Sequence, residues 1–196
     1  MEKWKDQIEA IFKFHTKRAP GIPIGACMVE YALELLGPVN GTVCAVSETD
    51  WCLSDAIQFM TGCTVGNRNL KIEGKLGRYA LTFFERETGR GVRVAVDVRK
   101  INKEKSPELY KFFHRIRGKE VEAGGPPRKE SNMRVIEDFM PLGREILSWE
   151  KVEVKEKGKK PIPPANICSK CGESFLSETR TNTCQACLGN IYYTKT

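Results

Sequence analysis

Arg78-Tyr79-Ala80-Leu81-Thr82-Phe83-Phe84-Glu85-Arg86 and Val92-Arg93-Val94-Ala95-Val96-Asp97-Val98-Arg99 are two β-rich runs separated by a stretch holding Thr88-Gly89-Arg90-Gly91. Val92, Val94, Val96 and Val98 alternate with Arg93, Asp97 and Arg99, the period-2 pattern of a strand with one buried face. A glycine-bearing connection between two such runs predicts an antiparallel hairpin. The hairpin excludes an all-helical chain and requires a partner layer for its apolar face.

The partner layer lies upstream. Trp4, Ile8, Ile11, Phe12 and His15 recur at helical spacing, with His15 on the apolar edge. After the Pro20-Gly21 turn, a second helix is expected from about Ile22 to Leu36, stopped by Gly37-Pro38. Thr42 to Val46 reads as a short strand, and a third helix starts near Trp51, with Ser47, Thr49 and Asp50 as cap candidates and Gly62 at its end. Residues 63–77 read as a structured loop. Downstream, Ser106-Pro107 opens a helix through about Arg117, Gly124-Gly125-Pro126-Pro127 reads as a loop, and a helical stretch runs from about Arg128 to Phe139. Lys151 to Lys155 alternates like a strand. No βαβ repetition suggests a doubly wound sheet, so the fold class is α+β: a helix-strand-helix core with an antiparallel meander.

At 196 residues the chain holds one core domain and a small appendage, and 40% hydrophobic content is ordinary for a globular protein. The expected organisation is a core over 1–148, a strand and basic, Pro-rich linker over 149–164, and a metal-held finger over 165–196. The longest apolar stretch, Ile22 to Leu36, carries Glu30 and Glu34, which speaks against a membrane span, and the opening residues lack a signal-peptide pattern. The expected location is therefore cytoplasmic. The formal charge of +7 draws attention to acidic partners, although Lys151, Lys155, Lys157, Lys159 and Lys160 beside Pro161-Ile162-Pro163-Pro164 read as a solvated linker.

Cys168, Cys171, Cys184 and Cys187 stand as C-x2-C, twelve residues, C-x2-C. One tight turn aims both sulfurs of a pair at one ion, and two pairs fill a tetrahedral shell. In a reducing compartment this spacing favours zinc over bridges. A closed thiolate shell leaves no position for water or substrate, so the expected zinc is structural, one per chain. The thirty residues from Ile167 to Thr196 are too few to hold a core unaided, and a structural zinc contributes about 10–16 kcal/mol near neutral pH.

Four further cysteines lie outside the tail. Cys27 and Cys44 sit among apolar neighbours and read as inert packing thiols. Cys52 falls in the expected first turn of the third helix, where the helix dipole favours thiolate, and Cys63 follows that helix's terminal glycine.

Phe14-His15, Pro20-Gly21, Ile24-Gly25, Glu48-Thr49, Cys52, Asp55-Ala56-Ile57-Gln58, Thr61-Gly62-Cys63-Thr64, Gly66-Asn67 and Asn69-Leu70 together resemble the E-subunit family of formylmethanofuran dehydrogenase, and the Cys168 to Glu173 pattern resembles that family's appended zinc finger. The resemblance implies an α+β core with a treble-clef finger, a homodimer, and association with a molybdenum or tungsten oxidoreductase complex of methanogenesis. It also implies a core cleft built from His15, Cys52 and Cys63, able to hold a cofactor or second metal. The family's Phe-His-Gly-His-x-Cys-Pro-Gly stretch is here Phe14-His15-Thr16-Lys17-Arg18-Ala19-Pro20-Gly21. Lys17 and Ala19 replace a second His and a Cys, so a core metal would rest on His15, Cys52 and Cys63 alone.

Three functions follow as expectations. The first is a non-catalytic zinc protein that dimerises and recruits a protein partner. The second is a metal-dependent redox or cofactor-binding enzyme using the cleft, with the loop from Cys63 to Leu70 and Arg68 contacting an acidic ligand. The third is nucleic-acid binding through the basic finger and Tyr192-Tyr193. No Ser-His-Asp spacing is evident, and Gly74-Lys75-Leu76 lacks the flanking residues of a phosphate-binding loop.

Overall fold

The computed structural model describes residues 3–156, 158, 161–179 and 181–194. Lys157, Lys159 and Lys160 of the basic stretch lie outside the described residues. The chain divides into two compact units, Met1–Gly158 and Lys159–Thr196.

The larger unit runs α1 (Lys3–His15), α2 (Gly21–Leu36), β1 (Val43–Ser47), α3 (Leu53–Thr61), β2 (Leu70–Ile72), β3 (Ala80–Glu85), β4 (Arg90–Val96), α4 (Pro107–His114), α5 (Lys119–Glu122), α6 (Gly125–Phe139) and β5 (Leu147–Glu153). Its sheet has the order β2-β1-β3-β4-β5, with β1 and β2 parallel and the other pairs antiparallel. The hairpin read from the sequence is β3–β4, in register from Ala80 opposite Ala95 to Phe84 opposite Gly91, and Gly89 in its turn has φ 81°. Leu81, Phe83, Val92 and Val94 point into one core with Ile22, Ile24 and Met28 of α2, Leu53 and Ile57 of α3, and Leu109 of α4. Trp4 of α1 and Phe139 of α6, both fully buried, meet with ring centroids 5.8 Å apart.

Several local expectations change. β3 is buried on both faces, because Thr82 is hemmed between Val46 and Arg93, and Phe84 lies across Gly91. Residues 63–77, read as loop, contain β2, so β1–α3–β2 is a parallel crossover within an otherwise antiparallel sheet. The three residues Leu70-Lys71-Ile72, two of them exposed, carry no alternation to announce a strand. α6 starts at Gly125 and takes Pro126 and Pro127 into its first turn, where backbone N–H groups lack intrahelical partners anyway. The strand read over 151–155 is β5, and it pairs with β4 along its whole length. Glycine ends α3 as read, Gly62 adopting φ 69°. No helix among the described residues is long and apolar enough to cross a membrane.

In the smaller unit, β6 (Ala165–Ile167) and β7 (Ser174–Leu176) form an antiparallel pair, and a 3-10 turn spans Ala186–Leu188. Each cysteine pair sits at a tight turn closed by a left-handed glycine. Gly172 (φ 76°) donates to Cys168 O at 2.8 Å, and Gly189 (φ 101°) follows Leu188, whose N–H donates to Cys184 O at 3.2 Å.

Candidate functional site: a four-cysteine centre and a histidine–carboxylate pair

The two turns bring the sulfurs of Cys168, Cys171, Cys184 and Cys187 within 4.8 Å of one another. Cys171 Sγ and Cys184 Sγ stand 3.9 Å apart. Tetrahedral bonds of about 2.3 Å from one ion would set neighbouring sulfurs about 3.8 Å apart, so this donor set fits a single metal without rebuilding. The backbone N–H of Cys184 points at Cys168 Sγ from 3.4 Å and, with the N–H groups of Cys171 and Lys170, holds that thiol down to about 6. Cys187, hydrogen-bonded to Cys184 and crowded by the other thiols, is pushed up to about 12. Backbone donors supporting one sulfur while like charges crowd another is the condition that a divalent cation resolves.

The core residues fall out differently. His15 Nδ1, at the end of α1, lies 2.6 Å from Asp55 Oδ2 on α3, and Gln58 Nε2 donates to Asp55 Oδ1 at 3.4 Å. A carboxylate only accepts, so Nδ1 is the donor in this contact, the orientation device also used behind metal-bound imidazoles. Cys52 is the N-cap position of α3, near Asp55, whereas Cys63 follows Gly62 at the opposite end. A nine-residue helix is about 13 Å long, so Cys52 and Cys63 cannot share one ion. Cys63 instead donates to Val43 O at 3.4 Å, on the β1 side of the unit. Among the described residues, only the four tail cysteines form a group of three or more metal-ligating side chains. Lys17 is exposed and Arg18 is paired with Glu9 at 2.6 Å, so the altered stretch after His15 adds no donor.

The expectation of an activated Cys52 is corrected as well. Burial pushes its thiol up, and the nearby Asp55 charge adds to this, overriding the backbone hydrogen bond that favours thiolate. Burial likewise raises Cys63 and Cys44, although Arg86 Nη2 stands 3.0 Å from Cys44 Sγ.

The sequence reading missed Tyr79 beside Cys52 and gave no separate role to Asp55 or to Glu48. The Tyr79 hydroxyl donates to Gly21 O at 2.5 Å, and burial holds its phenol well above the usual range. A Cβ on Gly21 would stand 2.6 Å from Tyr79 Oη and 2.8 Å from Cys52 Cβ. Gly21→Ala is therefore expected to destabilise the larger unit by about 1–3 kcal/mol, read from the urea midpoint, whereas Gly66→Ala, with no atom nearer than 4.0 Å, stays within about 0.5 kcal/mol. Equal midpoints for the two variants would remove Gly21 as a packing point. Glu48, 5% exposed, receives Arg93 Nε and Nη2 at 2.6 and 2.9 Å and Arg78 Nε at 2.7 Å. Glu48 and Asp55 stand in the sequence motifs quoted above, but only the fold supplies the partners that give them a role.

Comparison with known proteins places this geometry. A crystal structure of an FmdE-like protein, of the tungsten formylmethanofuran dehydrogenase type, from Syntrophus aciditrophicus superposes with a TM-score of 0.80 at 28% identity, covering 97% of this chain and 95% of that one. A probable S-adenosyl-L-methionine-binding protein of Archaeoglobus fulgidus is 31% identical over 194 residues, 92% of this chain. The match spans about half of that relative, 52% of its length. The profile of the family described as FmdE, molybdenum formylmethanofuran dehydrogenase operon, matches residues 14–156, and the chain belongs to that family.

Proposed function

We propose that this protein is a non-catalytic, zinc-bearing accessory subunit, working as a homodimer in the cytoplasm and recruiting a molybdenum or tungsten oxidoreductase complex of one-carbon metabolism related to methanogenesis. The observation that carries the reading is the contrast between the two cysteine sets. Cys168, Cys171, Cys184 and Cys187 supply four thiolates to one ion and leave no position for substrate, while His15, Cys52 and Cys63 are not gathered into a second site. Zinc held by the four thiolates would fix the tail's fold. His15 and Asp55 then serve to tie α1 to α3.

The name of the Archaeoglobus relative favours a second reading, a core that binds S-adenosylmethionine. Two measurements on the full chain separate the readings. Elemental analysis is expected to find one zinc per chain, unchanged in Cys52→Ser, and a tagged chain is expected to retain a formylmethanofuran dehydrogenase complex. Loss of a second metal equivalent in Cys52→Ser would move the core-site enzyme to the front, and saturable calorimetric binding of S-adenosylmethionine without retention of the complex would replace the accessory role.

A further inference from the structure

Residues 111–134 carry seven Lys and Arg residues against three Glu, a concentration of positive charge remote in sequence from the basic linker. In this corner Arg115, Arg117 and Arg128 form no ion pair among the described residues. Arg117 Nη1 has only neutral acceptors, Asn132 Oδ1 at 3.0 Å and Ser131 Oγ at 3.5 Å, and Arg128 caps the carbonyls of Val121 and Glu122. Burial and then the charges of Arg128 and Arg115 work against Arg117's own protonated state. Glu108 and Glu122 offset part of this without forming an ion pair to Arg117, and an anion bound directly to the guanidinium groups would offset more.

Two further observations describe what that anion carries. Arg117, though neither Arg115 nor Trp51, lines a depression of about 320 Å³ between α4, α5 and α6, at the small end of ligand sites. Of its carboxylates, Glu108 is held by Lys111 and Ser131, Glu130 by Arg134, and Glu120 is folded toward Gly118. Two residues before Arg117, Arg115 adopts φ 56°, a left-handed backbone that is costly for a side chain, and its guanidinium stands 5.7 Å from the Trp51 ring centroid. Trp51 is 66% exposed. An exposed indole beside arginines is a stacking surface for a planar base with the positive charge to hold its phosphate.

We propose that the corner formed by α4, α6 and Trp51 binds a nucleoside phosphate, the base stacked on Trp51 and the phosphate held by Arg115 and Arg117. A mononucleotide suits it better than a strand, because a strand needs successive aromatic platforms and this corner exposes one indole. The site is independent of the four-cysteine centre and of the His15–Asp55 pair.

The test is calorimetric titration of the full chain with AMP at low ionic strength, with adenosine, inorganic phosphate and single-stranded RNA as comparators. Saturable AMP binding is expected, weakened about tenfold or more in Trp51→Leu and in Arg117→Gln, and stronger than adenosine or phosphate by a similar factor. Circular dichroism identical to the parent establishes that each variant is folded. Absence of AMP binding at millimolar concentration, parent-like affinity in both folded variants, phosphate binding as tightly as AMP, or RNA binding without mononucleotide binding would each overturn the assignment.

Discussion

Cys184→Ser is expected to abolish metal binding and unfold the tail while leaving the larger unit intact. The reason is the composition of the small unit's interior. Among its described residues only Cys168 and Cys184 are buried, at 1% and 7% exposure, while Ile167, Leu176, Leu188 and Tyr192 are each more than half exposed. With no apolar interior, the β6–β7 pair and the two cysteine turns depend on whatever joins the sulfurs, and two-stranded sheets alone are marginal in water. Zinc bound to four thiolates contributes about 10–16 kcal/mol, most of it lost with one ligand. Elemental analysis should fall from one zinc per chain to none, and limited proteolysis should clear the chain beyond Ala165 while a fragment close to residues 1–158 persists. A strong chelator should reproduce both results in the unaltered chain. Retention of zinc by Cys184→Ser, or an unchanged digestion pattern, would contradict a metal-held tail.

The four-cysteine centre was legible because its geometry is local. Two-residue spacers and the glycines after each pair encode the turns, and the sulfurs converge with no distant element needed. The β3–β4 hairpin was legible for the same reason, since its alternation and its turn are contiguous. Elements with little periodic signal were not. β2 is three residues, α5 is a single turn, and the start of α6 hides behind two prolines. The core site failed on distance. His15 and Asp55 are 40 residues apart, Glu48 and Arg93 are 45, and nothing in either local pattern names the other. Cys52 and Cys63 are close in sequence, but the helix between them keeps them apart. A motif shows which residues matter together in a family, whereas the fold decides which of them touch.

Glu48 shows how much of the core's stability rests on such a pairing, and Glu48→Gln is expected to lower stability by about 3 kcal/mol. Its carboxylate is almost fully buried, takes two hydrogen bonds from Arg93, itself 21% exposed, and one ion pair from Arg78, which is 59% exposed. Removing one partner of a buried pair costs about 3–5 kcal/mol because the other charge stays desolvated. The lower end applies here, since Arg93 keeps Glu150 at 3.0 Å and the exposed Arg78 contributes little. For a unit of this size the loss corresponds to a fall in Tm of about 6–12 °C. The pH dependence supplies a second, independent signature. The hydrogen bonds from Arg93, together with the charges of Arg93 and Arg78, outweigh burial and hold the Glu48 carboxyl below its ordinary range. Its contribution is therefore fully present above the unfolded value of about 4.3 and is lost as pH falls through the depressed folded value. The gap between parent and Glu48→Gln should be constant near neutrality and should close on acidification. Replacing both partners, Glu48→Leu with Arg93→Met, removes the desolvated charge along with its counter-charge and should recover much of the loss. A Glu48→Gln midpoint within a degree of the parent at neutral pH, or a gap that widens in acid, would show that the Glu48–Arg93 ion pair is a bystander to the fold.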